Sequence, residues 1–174
     1  MFSLPNSSFE FLDSLSLTWN DISWSYKNNI LDLEYVEHYV NNLLNSGNDT
    51  DFNLSVYLDF AEGSEYDVAS RMDNLFKILS ENKKDIISKR WLYIILKYIY
   101  ITRNSYENPF QLIDDIYADF DYPTDIESFV SYMPINENDL ACRENENGLS
   151  LLKKNWERYL QEFEEENYDL FTSQ

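Results

Sequence analysis

The sequence predicts an all-α fold: a compact, single-domain multi-helix array of residues 1–174 around a buried central helix at about 85–103. Three observations predict it. Only 3 Gly and 4 Pro occur in 174 residues, whereas a sandwich or barrel of short strands needs turn residues every ~8–12 positions. Apolar residues recur at three- and four-residue spacing in most segments, which is the period of one helix face. Helix-start signatures stand ahead of several of those segments. The 44% of hydrophobic and 17% of aromatic residues exceed what a disordered acidic chain carries. A single core is in keeping with the length.

Taken in order, Thr18-Trp19-Asn20-Asp21 reads as a capping box with Asp in place of Glu, opening a short helix that carries Ile22, Trp24 and Tyr26. Asp32 caps the next helix, in which Val36, Tyr39, Val40, Leu43 and Leu44 form a stripe and Gly47 supplies a left-handed end. From Asp51 to Phe60 apolar and polar residues nearly alternate. A lone strand would lack a partner, so a helix is expected there too. Ser64 and Asp67 form another capping box ahead of Val68, Met72, Leu75, Phe76 and Leu79, in a helix that stops near Asn82.

The stretch from Asp85 to Arg103 is apolar around most of its circumference, which suits the centre of a fold. Asn108-Pro109 reads as an N-cap followed by proline at the first helical position, with Phe110, Leu112, Ile113, Ile116 and Tyr117 inward. Pro123 opens a short helix with Ile126, Phe129 and Val130 inward, and Pro134 lies past its end. Residues 135–147 read as a polar loop. The last helix runs from about Gly148 to Tyr168 with Leu152, Trp156, Tyr159, Leu160 and Phe163 on one side.

Catalytic signatures are sparse. His38 is the one histidine and Cys142 the one cysteine, which excludes a disulfide within the chain and a cysteine-rich zinc site. Three scattered glycines build no phosphate-binding loop. Glu34-x-x-Glu37 looks like half of a paired acidic helix motif for Mg²⁺, but Glu62-x-x-Glu65 straddles Gly63-Ser64 and cannot present one helical face. The densest carboxylate cluster is Asp114-Asp115-Ile116-Tyr117-Ala118-Asp119-Phe120-Asp121. On a helix, Asp115 and Asp119 stand one turn apart, a spacing that suits water-mediated Mg²⁺ binding.

Charge is unevenly spread. The net charge is −19, yet residues 71–103 hold eight bases against three acids, while residues 104–142 hold nine acids and no base. Such a surface repels nucleic acid and anionic membranes and favours fast association with a basic protein. The first residues carry neither a basic nor an apolar leader, and the apolar run Trp91 to Ile101 is broken by Lys97, so a cytoplasmic protein without a membrane span is expected.

Four runs resemble the bacterial family known as domain of unknown function 2247: Leu17 to Tyr26, Arg90-Trp91-Leu92-Tyr93, Ile116 to Pro123, and Ser128 to Pro134. The resemblance spans about 17–163 and implies a helical fold and a bacterial origin; it implies no activity and transfers no catalytic residue. Ser25 stands where members often have Gly.

The expected function is therefore that of a non-enzymatic acidic binding protein, of the immunity type that neutralises a basic toxin or nuclease domain. Its expected partner-binding residues are Asp114, Asp115, Asp119, Asp121, Asp125 and Glu127, with Tyr122 or Tyr132 as the anchor. No cofactor and no direct nucleic-acid contact are expected. Two alternatives use the same residues differently or not at all: a Mg²⁺-dependent hydrolase built on the aspartates of 114–121, and a structural subunit of a larger complex.

Overall fold

Backbone groups left over at helix ends decide where the elements begin and stop. The computed structural model describes residues 2–47, 69–70, 72–74, 77, 79–134, 148–168 and 171. In order they form α1 (Phe9–Asp13), α2 (Trp19–Lys27), α3 (Leu33–Asn45), α4 (Glu81–Thr102), α5 (Pro109–Asp119) and α6 (Gly148–Glu166), with 3-10 turns at Asn6–Ser8, Arg103–Ser105 and Thr124–Phe129. The fold is all-α, and no strand occurs among the described residues. The expected helix at 51–60, the Ser64–Asp67 capping box, the 135–147 loop and Cys142 lie outside them. Among the described residues no helix is long and apolar enough to cross a membrane.

The structure falls into two compact units, Ser3–Trp91 and Leu92–Thr172. In the first, the Thr18 capping box closes in both directions, with the Thr18 hydroxyl accepting from the Asp21 amide and the Asp21 carboxylate accepting from the Thr18 amide at 2.8 Å. Asp32 caps α3 by accepting from the Tyr35 amide at 3.0 Å. Both helices end as the chain's composition allows. Asn29 (φ 56°) takes the left-handed position after α2, and the Ile30 amide reaches back to the Ser25 carbonyl at 2.9 Å. Gly47 (φ 73°) does the same after α3, where glycine removes the Cβ penalty. Ile22, Ile30, Leu31, Tyr35, Val36 and Val40 are buried between these helices and their neighbours. Trp19 meets Tyr39 edge-on at 5.1 Å, and the Tyr39 hydroxyl donates to the Leu17 carbonyl at 2.9 Å. Burial, and then the Asp21 carboxylate, push the Tyr39 phenol up to about 12.

α4 begins at Glu81, four residues before the expected start at Asp85, and the preceding helical residues give way before it rather than at Asn82. The reason is local: the Ser80 hydroxyl accepts from the Lys83 amide at 3.4 Å and its carbonyl from the Lys84 amide at 3.0 Å, so Ser80 starts the helix. Its central stretch carries the burial. Every residue from Trp91 to Leu96 is inaccessible or nearly so, while Ile86 near one end and Ile101 near the other are half exposed. A helix apolar on all sides is stable only when enclosed.

In the second unit, Lys97 interrupts that apolar run because Glu164 of α6 meets it at 2.5 Å, and the Tyr93 hydroxyl donates to the same carboxylate at 2.7 Å. Tyr93 also stacks on Phe163 at 4.3 Å. Burial works against the Glu164 charge, but the hydrogen bonds from Lys97 and Tyr93 outweigh it and hold the carboxyl below its ordinary value. α6 buries Trp156 and Leu160 as expected, with Tyr159 and Phe163 half-buried beside them, and it also buries Leu151 and Asn155, while Leu152 is only half-buried. Trp156 lies among Tyr100, Phe110 and Phe129. Asn108 does precede Pro109 at the start of α5, but its side chain caps no amide; the proline suits the first helical position by its fixed φ and its missing N–H.

Candidate functional site

Two of the four quoted runs meet inside the first unit. Asp21, fully buried in α2, receives two hydrogen bonds from the Arg90 guanidinium, at 3.0 and 3.1 Å, and its carbonyl accepts from the Trp91 indole at 3.0 Å. The capping aspartate is thus also the counter-charge of a mostly buried arginine. Asp21 and Trp91 are fully buried and Arg90 is mostly so, and the cluster ties α2 to α4. His38 is likewise engaged locally, with Nε2 2.6 Å from Asp13 and 3.0 Å from Asn42.

The other two runs build the candidate site, at the end of α5 and the turns that follow. α5 stops in a paired-bond terminus: the Asp121 amide donates to the Ala118 carbonyl at 3.2 Å and the Tyr122 amide to the Tyr117 carbonyl at 2.9 Å. That geometry normally calls for glycine. Here Asp121 and Tyr122 both stand at φ 59°, in the left-handed region, and for a residue as bulky as tyrosine this is costly backbone. The Tyr122 ring that follows from this turn is 57% exposed and meets buried Tyr117 edge-to-face at 5.2 Å and 80°.

Side chains of α5 and α6 then fix the returning segment. Asp114, buried on the inner side of α5, accepts from the Ser131 amide at 2.8 Å and from its hydroxyl at 2.5 Å. The Tyr117 hydroxyl donates to Glu127 at 3.1 Å, and buried Asn155 donates to the Ser128 carbonyl at 2.8 Å. Ile126, Phe129 and Val130 are fully buried beneath. Held this way, Tyr132 stands 59% exposed with its ring 6.2 Å from Tyr117. Partial burial, and then the Asp114 carboxylate and the Tyr122 hydroxyl, raise the Tyr132 phenol, and burial, followed by the hydrogen bond to Glu127, raises that of Tyr117.

The expected residues therefore take different places. Asp115, Asp119, Asp121 and Asp125 are exposed around the two tyrosines' segment, with Asp115 accepting from Gln111 at 3.4 Å and Asp119 and Asp125 also engaged with neighbours. Glu127 is half-buried on Tyr117, and Asp114 is spent on Ser131, which makes it a positioning residue of the patch rather than a contact surface. Among the described residues no group of three or more His, Cys, Asp or Glu side chains is gathered closely enough to hold a metal ion. The sequence reading missed Tyr117, Ser131 and Asn155 as the framework of the site. A buried asparagine on an apolar helix face was the one signal available for them, and only Asn155 carries it.

A family model described as an uncharacterised protein conserved in bacteria, the domain of unknown function 2247, matches residues 9–164, and the chain belongs to that family. No curated protein and no solved structure matches the chain.

Proposed function

We propose that this member of the domain of unknown function 2247 family is a non-enzymatic acidic binding protein that engages a basic protein partner through the patch around Tyr122 and Tyr132. One observation carries the reading: two tyrosines more than half exposed stand on a segment pinned from beneath by Asp114, Tyr117 and Asn155, with exposed Asp121 next to one of them. Large rigid rings on an ordered backbone lose little entropy when a partner covers them, and aromatic anchors of this kind dominate interface energetics. Carboxylates at the rim add steering more than affinity. Inhibition of a basic toxin or nuclease domain, as an immunity-type protein, is the form of this function that fits the small size and the net charge of −19.

Affinity capture from a bacterial lysate, with the wild-type chain beside an Asp119→Lys, Asp121→Lys variant, tests it. A basic protein retained by the wild type at low salt, weakened at high salt and lost by the variant is the expected result. Equal capture by both proteins would remove the patch from the function.

A further inference from the structure

We infer that the cluster of Tyr117, Tyr122 and Tyr132 receives an arginine guanidinium from the basic partner, laid against the exposed rings and directed toward the neighbouring carboxylates. The inference rests on the binding reading above and deepens it by naming the chemistry that the partner presents. Tyr122 and Tyr132 are the exposed members, and their packing on Tyr117 is edge-to-face, at 80° and 61°, a contact that covers at most one face of each ring and leaves the other outside the pair. A cation over a tyrosine face is attracted by the negative centre of the ring, more strongly as water is excluded.

Charge selects the sign of the occupant. Residues 104–142 contain nine acids and no base, so no cation from the cluster's own segment is available to occupy it. Among the described residues the chain already shows the proposed contact within itself: the Arg103 guanidinium lies 4.4 Å over the Tyr100 ring, while the Tyr100 hydroxyl donates to Glu157. Arginine suits such a place better than lysine, because its planar, weakly hydrated fork stacks on a ring and hydrogen-bonds a carboxylate at once, whereas an ammonium holds its water.

Calorimetric titration of the full chain at low ionic strength, with a short oligo-arginine peptide and an oligo-lysine peptide of equal length, tests this. The wild type is expected to bind the arginine peptide roughly three- to tenfold more tightly. The Tyr122→Leu, Tyr132→Leu variant should lose that preference while Asp121→Asn, Asp125→Asn weakens both peptides alike. Circular dichroism checks that helix content is kept, and the single tyrosine variants replace the double one should it fail to fold. Equal affinity for the two peptides on the wild type, or a preference that survives loss of both rings, overturns the inference while an acidic docking surface still stands. Absence of binding to either peptide overturns it as well, and the lysate capture then judges the wider reading separately.

Discussion

Removing the Asp21 carboxylate strips the Arg90 guanidinium of its counter-charge, in a place where Asp21 is fully buried and the Arg90 Nε already lacks a hydrogen-bond partner among the described residues. Breaking a buried pair from one side costs about 3–5 kcal/mol. Asp21→Ala is therefore expected to lower unfolding stability by about 3 kcal/mol, since Arg90 keeps some contact with water, as read by urea denaturation. A loss under about 1 kcal/mol would show that water replaces the pair cheaply. Asp121 predicts a change of opposite sign. It holds a left-handed backbone that glycine adopts freely, so Asp121→Gly should raise stability by about 1 kcal/mol in the same assay. The gain should come with weaker partner capture, because the carboxylate beside Tyr122 goes with it. At this scale the sequence was legible wherever the chemistry is local. Thr18, Asp21 and Asp32 were recognisable as caps because a cap and its amide lie three residues apart. Arg90 as the partner of Asp21, 69 positions away, was not.

Among the elements, α4 and α6 show how a charge survives in an apolar run. Lys97 breaks the hydrophobic pattern, and the run is nevertheless helical because Glu164 meets that charge, the same carboxylate accepting from the Tyr93 hydroxyl. The depressed Glu164 carboxyl sets the sign of a pH effect. A carboxyl held below its ordinary value stabilises the folded chain above the unfolded value near 4.5, and that stabilisation fades as pH falls through the lower folded value. The melting temperature of the wild type should thus drop more steeply below pH 4.5 than that of Glu164→Gln, with the two curves parallel above it. Curves parallel throughout would mean that the Lys97 pair carries no folding energy. The boundaries of these helices were less legible than their existence. With Ser80 as its cap, α4 starts at Glu81, four residues ahead of the expected Asp85, where polar Glu81, Lys83 and Lys84 give no periodic signal. Asn108 looks like a cap by residue type, but its side chain makes no such bond, and the start of α5 is marked by proline at the first helical position.

For the whole molecule, the segregation of charge along the chain was plain from the sequence, and so was the helical class; what the segregated charge surrounds was not. The aspartate run reads as a uniform acidic stripe until its members are placed. Asp114 then turns inward to Ser131, Glu127 turns to Tyr117, and the exposed remainder flanks two outward tyrosines. That division depends on a backbone reversal at Asp121 and Tyr122, which residue preference argues against, since neither is glycine. The residues that break the local rule sit where the proposed function lies, the usual relation between strain and function. Both units of the structure share α4, which runs unbroken from Glu81 to Thr102, and we propose on that continuity that residues 1–174 act as one domain. The central claim is that a basic partner covers the Tyr122 and Tyr132 surface. Hydrogen–deuterium exchange of the chain, free and with its captured partner, tests it most directly. The account predicts new protection concentrated between Tyr117 and Met133, with α2 and α3 unchanged; protection centred on α2 and α3, with 117–133 exchanging as in the free chain, would contradict it.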